Sequence, residues 1–77
     1  MSIAEQNRIQ IQTMRENFKS LREQRDWSIE KLSRVSGIKE KILIAIETDQ
    51  NFELKYLFTL CRLYNIKPHE IFLPLAK

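Results

Sequence analysis

The chain has one glycine, one cysteine, one histidine and two prolines in 77 residues, and each scarcity removes a class of function. One glycine cannot build a glycine-rich phosphate loop. Cys61 alone permits no internal disulfide and no thiolate metal cluster, and its place in an apolar helical pattern reads as a buried, inert thiol. His69 stands beside Pro68 and Glu70, with Cys61 eight residues away and no carboxylate pair at fixed spacing. Neither a zinc site nor a nucleophilic triad can be assembled from such a set. An enzyme, a metal site and a cofactor are therefore not expected. The first 20 residues contain no apolar run long enough for a signal peptide or a membrane span. No membrane partner is expected, and the cytoplasm is the expected location.

The composition that remains, 43% apolar and 30% charged, is that of a soluble globular domain. A single domain over residues 1–77 is expected, with a core resting on a few large side chains. Thirteen Lys or Arg against ten Asp or Glu leave a net charge of +3, which favours acidic partners without requiring them.

Periodicity predicts a succession of short helices. Ile11, Met14, Phe18, Leu21 and Arg25 recur at steps of three or four over residues 9–25, the period of one helical face. Residues 1–12 read either as an extension of that helix or as an arm. Ser28 is a natural N-cap for a second helix over residues 29–36 with Leu32 inward. Gly37 can take the left-handed conformation that ends it, and Ile38 then turns back into the core. A third helix over residues 40–48 directs Leu43 and Ile46 inward, although Lys39 is a poor cap. Residues 53–64 place Leu54, Leu57, Phe58, Cys61 and Leu63 or Tyr64 on one broad face. Asn65 can end that helix. Pro68 suits the first position of a fifth, over residues 68–72, and residues 73–77 form a short apolar tail expected to pack. Residues 27–47 thus read as helix, glycine turn, helix, the geometry that lays one helix in a DNA major groove while the other braces it.

The order Leu32–Ser33, Gly37–Ile38, Leu43, Ile46–Glu47, Leu60–Cys61, Asn65–Ile66 and Ile71–Phe72 resembles the five-helix domain of the lambda repressor and Cro family. The resemblance covers residues 18–73. It implies an all-α fold with a helix-turn-helix and a five-helix core, and a sequence-specific DNA-binding regulator, a repressor acting through its third helix. It also implies an ion pair between Arg22 and Glu47, which a planar guanidinium fork suits. The family's contact positions fall on Lys39, Glu40, Lys41, Ala45 and Thr48. The chain departs from the family at Ile29, where a phosphate-binding glutamine is frequent, and at Ile44, where a polar residue is usual.

Lys39 and Lys41 could each neutralise a phosphate or donate to guanine, Glu40 could accept from cytosine N4, and Ile44 could press on a thymine methyl. Lys31 and Arg34 could track a phosphate strand. The expected partner is double-stranded DNA, read by a homodimer across two half-sites, with residues 1–12 or the tail from Leu73 supplying the interface. An alternative follows from Trp27, Ile29 and Ile44, with Ile42 beside them. These could form an apolar patch for a protein partner, making the domain an interaction module that modulates another regulator.

Overall fold

The computed structural model describes residues 2–75, and the first helix, α1, spans Ile3–Gln24. Its N-cap is Ser2, whose hydroxyl accepts the Glu5 amide proton at 3.2 Å. Residues 1–12 therefore divide into Met1, outside the described residues, and a true extension of the helix. After α1 the chain turns at Asp26, whose φ of 55° is tolerated because a short polar side chain can support the left-handed conformation.

Helix α2 (Ile29–Ser36) starts on Ser28, which accepts the Lys31 amide at 3.0 Å. It ends on Gly37, left-handed at φ 76°. A Cβ there would meet nothing within 4 Å, so glycine is required by the backbone conformation alone. Helix α3 (Glu40–Glu47) follows, and α4 (Leu54–Leu63) runs to Tyr64 and a left-handed Asn65 at φ 55°. The expected fifth helix is a 3-10 turn, Pro68–Phe72. Pro68 opens it as anticipated, but five residues cannot develop the α ladder, and the Lys67 and Leu73 amides close it with Glu70. The described residues are all-helical apart from their connections, and no helix among them is long and apolar enough to cross a membrane.

The core gathers Met14 and Phe18 of α1, Leu32 of α2, Ile38, Leu43 and Ile46 of α3, Leu57, Leu60 and Cys61 of α4, Tyr64 and Ile71. Two residues assigned to the inward face of α4 lie outside it: Leu54 is 61% exposed and Phe58 44%. The buried stripe is Leu57, Leu60, Cys61 and Tyr64, spaced three and four apart. Phe58 lies one residue, about 100°, off Leu57, and Leu54 overhangs the edge of the bundle. In the apolar tail, the Leu73 side chain is exposed and Leu75 is half-buried, while Ala76 and Lys77 lie outside the described residues.

Two buried polar side chains of α1 were invisible to the periodicity. Asn17 donates to the carbonyls of Ile71 and Leu73, both at 2.8 Å, and so ties the 3-10 turn to α1. Arg15 donates to the carbonyls of Ala45 (2.6 Å), Ile46 (3.1 Å) and Gln50 (3.0 Å). These are orphan acceptors at and beyond the C-terminus of α3, a helix with no basic residue of its own in the last turn. The Arg15 guanidinium also lies over the Phe52 ring, 5.6 Å from its centre.

Tyr64 joins Phe18 and Trp27 in an aromatic cluster, with ring centres 6.2 and 6.3 Å away, and Arg25 sits 4.8 Å above its ring. Its buried hydroxyl has no hydrogen-bond partner among the described residues. Burial, and secondarily the charge of Glu47, push its pKa up to about 12.

Two predictions follow from this packing. Arg15→Met leaves three carbonyls unpaired and lowers unfolding free energy by about 3 kcal/mol in urea titration, and Arg15→Lys recovers only part, because one ammonium cannot span the same fork. The Tyr64 phenol is neutral in the fold, so stability is full below the unfolded value of about 10 and declines as pH rises from there toward about 12. Tyr64→Phe flattens that alkaline decline and leaves stability at neutral pH unchanged or higher by about 1 kcal/mol.

Candidate nucleic-acid interface

The turn between α2 and α3 is closed by short polar contacts on either side of Gly37. The Gly37 amide donates to the Ser33 carbonyl at 2.9 Å, the Ser33 hydroxyl donates to the Ile38 carbonyl at 2.6 Å, and the Ile38 amide donates to the Ser36 hydroxyl at 3.1 Å. Ser33 and Ser36 thus fix the angle at which α3 leaves the turn. Lys39 makes no side-chain cap, and the acid in the first turn is Glu40.

α3 is anchored at its far end by Arg22. The guanidinium Nε donates to Glu47 Oε2 at 2.8 Å and Nη2 to Oε1 at 2.9 Å, a two-bond fork, while Nη1 donates to the Trp27 carbonyl at 2.7 Å. One side chain therefore joins α1, the connection into α2, and the end of α3. The hydrogen bond to Glu47 raises the Arg22 pKa against the opposing effect of burial.

With Leu43, Ala45 and Ile46 buried and Glu47 tied to Arg22, the outward row of α3 is Glu40, Lys41, Ile44 and Thr48. Lys39 is exposed at its start. The Thr48 hydroxyl is spent as a donor on the Ile44 carbonyl at 2.7 Å. Ala45, expected on the contact face, is only 7% exposed. It stands one residue beyond Ile44, about 100° around the helix and one turn past Lys41, at the edge of the outward row in a recess walled by Phe52 and Tyr56.

On α2, Lys31 and Arg34 are exposed, and Arg34 pairs with Glu30 across one turn at 3.2 Å. The pair is solvated and leaves the guanidinium available.

The apolar patch expected from Trp27, Ile29, Ile42 and Ile44 is smaller than the sequence suggests. Trp27, Ile29 and Ile42 are half-buried and packed against the core, because a small bundle recruits large side chains at its margins. Trp27 packs beside the Tyr64 ring, and the Arg25 guanidinium lies over both, 5.7 Å from the indole centre. Ile44 alone of the four is exposed, at 45%. It shares a shallow groove with Ile29, Lys19, Thr48 and the Arg22–Glu47 pair. Lys19 is the basic neighbour that sequence reasoning missed; its place on α1 one turn before Arg22 is the signal that could have found it.

Cys61 is buried, which raises its thiol pKa. Among the described residues no group of three or more His, Cys, Asp or Glu could hold a metal ion.

Arg22→Met strands the largely buried Glu47 carboxylate and is expected to cost about 3 kcal/mol. In the double variant Arg22→Met/Glu47→Met most of that loss returns, which a double-mutant cycle by thermal unfolding measures.

Comparison with known proteins meets the same segment. No curated protein and no solved structure gives a significant match. The helix-turn-helix family model matches residues 18–71, from the middle of α1 to the 3-10 turn, which is more than half of the chain. The chain belongs to the helix-turn-helix family, the lambda repressor/Cro-like class of DNA-binding transcription regulators.

Proposed function

We propose that the protein is a sequence-specific repressor that places α3 in the major groove, with α2 bracing it across the backbone, and occupies an operator as a homodimer. The observation that carries the reading is the outward row of α3. Glu40, Lys41, Ile44 and Thr48 are exposed on one side of a helix whose opposite side is in the core and whose end is tied to Arg22. A helix so fixed presents its side chains at a defined angle, and this is what reading base edges demands.

Within that reading the roles divide by chemistry. Lys39 and Lys41 at the start of α3, and Lys31 and Arg34 on α2, meet phosphates, with Lys41 also able to donate to guanine O6 or N7. Glu40 accepts from cytosine N4 and repels sequences that offer only acceptors. Ile44, with the half-buried Ile29 behind it, forms an apolar spot in the middle of the row and suits a thymine methyl. A single copy supplies few phosphate contacts and binds weakly, so two copies on a two-fold site supply the affinity.

Selection from random duplex DNA at low and moderate salt tests the reading. It is expected to enrich a two-fold sequence, and Lys39→Ala/Lys41→Ala is expected to keep the fold while flattening the dependence of log affinity on log salt by about two. Replacing the thymine under Ile44 by uracil should weaken binding about fourfold, the value of one buried methyl. No enrichment at either salt, together with loss of a protein partner in Ile44→Asp, would instead make the domain an interaction module that modulates another regulator.

A further inference from the structure

The face of α1 that packs Met14, Phe18 and Leu21 against the core continues toward the N-terminus as Ile11, Asn7 and Ile3, all within about 80° of the helix circumference. Nothing covers this continuation among the described residues. Residues 2–12 are exposed throughout, and Ile3 is 76% exposed. Ala4 and Gln10 border the strip, while Glu5 and Arg8 fall outside it, so the strip carries no charge. Two to three turns of helix with an uncovered apolar strip gain little from intrinsic propensity alone and are stabilised by packing against something.

The body of the molecule offers a recess beside this strip. Beneath the overhang is a shallow recess whose apolar lining is Ile11, Met14, Phe52, Leu54, Leu57 and Phe72, with Leu54 61% exposed at its rim; Asn51 and Arg15 complete the wall, the Arg15 guanidinium being spent on the carbonyls of Ala45, Ile46 and Gln50. Ridge and recess adjoin on one chain. A surface that holds a ridge and a recess side by side can be used twice in a two-fold contact, each ridge meeting the partner's recess.

We propose that the occupant of this face is a second copy of the chain. The overhanging segments of α1 cross antiparallel about an axis at Asn7, which sets Ile3 of one protomer over Ile11 of its partner and leans both into the recess. Asn7 meets its own symmetry mate, and its amide is both donor and acceptor, so the pair satisfies itself and fixes the register. The absence of charge on the strip suits two molecules that each carry a net +3. A contact confined to the Ile3–Ile11 strip and one shallow recess is small for a specific interface, for which about 1,200 Å² in all is the lower limit, so the dimer is weak and concentration-dependent.

This interface deepens the homodimer reading of the proposed function, and it is tested without DNA, so that failure of dimerisation and failure of DNA binding are separately visible. In sedimentation equilibrium the full chain is expected to move from monomer to dimer with rising concentration, and Ile3→Glu and Leu54→Glu, both at exposed positions, are each expected to weaken association at least tenfold with unchanged helical circular dichroism. Under oxidising conditions Asn7→Cys is expected to cross-link to its own copy, whereas Gln12→Cys, on the opposite side of α1, is not; Cys61 is buried and stays out of the reaction. A chain that remains monomeric at millimolar concentration, a dimer indifferent to Ile3→Glu and Leu54→Glu, or preferential cross-linking through Gln12→Cys would each overturn the proposal.

Discussion

Two arginines of α1 hold the end of α3, and the functional face depends on that grip. Arg15 and Arg22 are seven residues apart, two turns along one helix, and both reach the last turn of α3. One takes backbone carbonyls and the other a carboxylate. α3 has eight residues, no side-chain cap at Lys39 and no basic residue in its last turn, so little of its order comes from itself. Its orphan carbonyls and its last charge are satisfied from outside. The angle at which Glu40, Ile44 and Thr48 face outward is in this sense a property of α1.

The turn at Gly37 supplies the other half of the constraint. A left-handed glycine preceded by two serines that bond the Ile38 backbone sets where α3 begins, while the arginines set where it ends. Between these fixed ends Leu43 and Ile46 enter the core, and each is at most 1% exposed. A helix clamped at both ends and sealed along one side can present side chains to a rigid partner without losing much conformational freedom on binding, which is how a short element gains specificity.

Much of this was legible because its causes are local. Ser28 and Gly37 act on their own backbone, and the structure puts the boundaries of α2 where those residues predict. What was hidden depends on tertiary partners. Arg15 and Asn17 flank the apolar stripe of α1 and look like solvated positions, yet their acceptors lie 30 to 56 residues on in the chain. The missing basic residue at the end of α3 was the one clue that a donor must come from elsewhere. Ala45 was carried over from the family's contact positions and is buried here, Leu54 overhangs the bundle at the end of its helix, and Phe58 sits one residue off the buried stripe of α4. The uncovered Ile3–Asn7–Ile11 strip was legible only as apolar residues in excess of the core; its continuity with the buried face of α1 required the helix to be seen whole.

The most direct measurement of the central dependence is amide hydrogen exchange across α3 in an Arg15→Met/Arg22→Met variant, under conditions where the protein remains folded. The account predicts that the amides of residues 43–48 lose protection ahead of those in α4 and the C-terminal half of α1. Retention of protection in α3 equal to that of its neighbours would contradict it and make the helix independent of the two arginines.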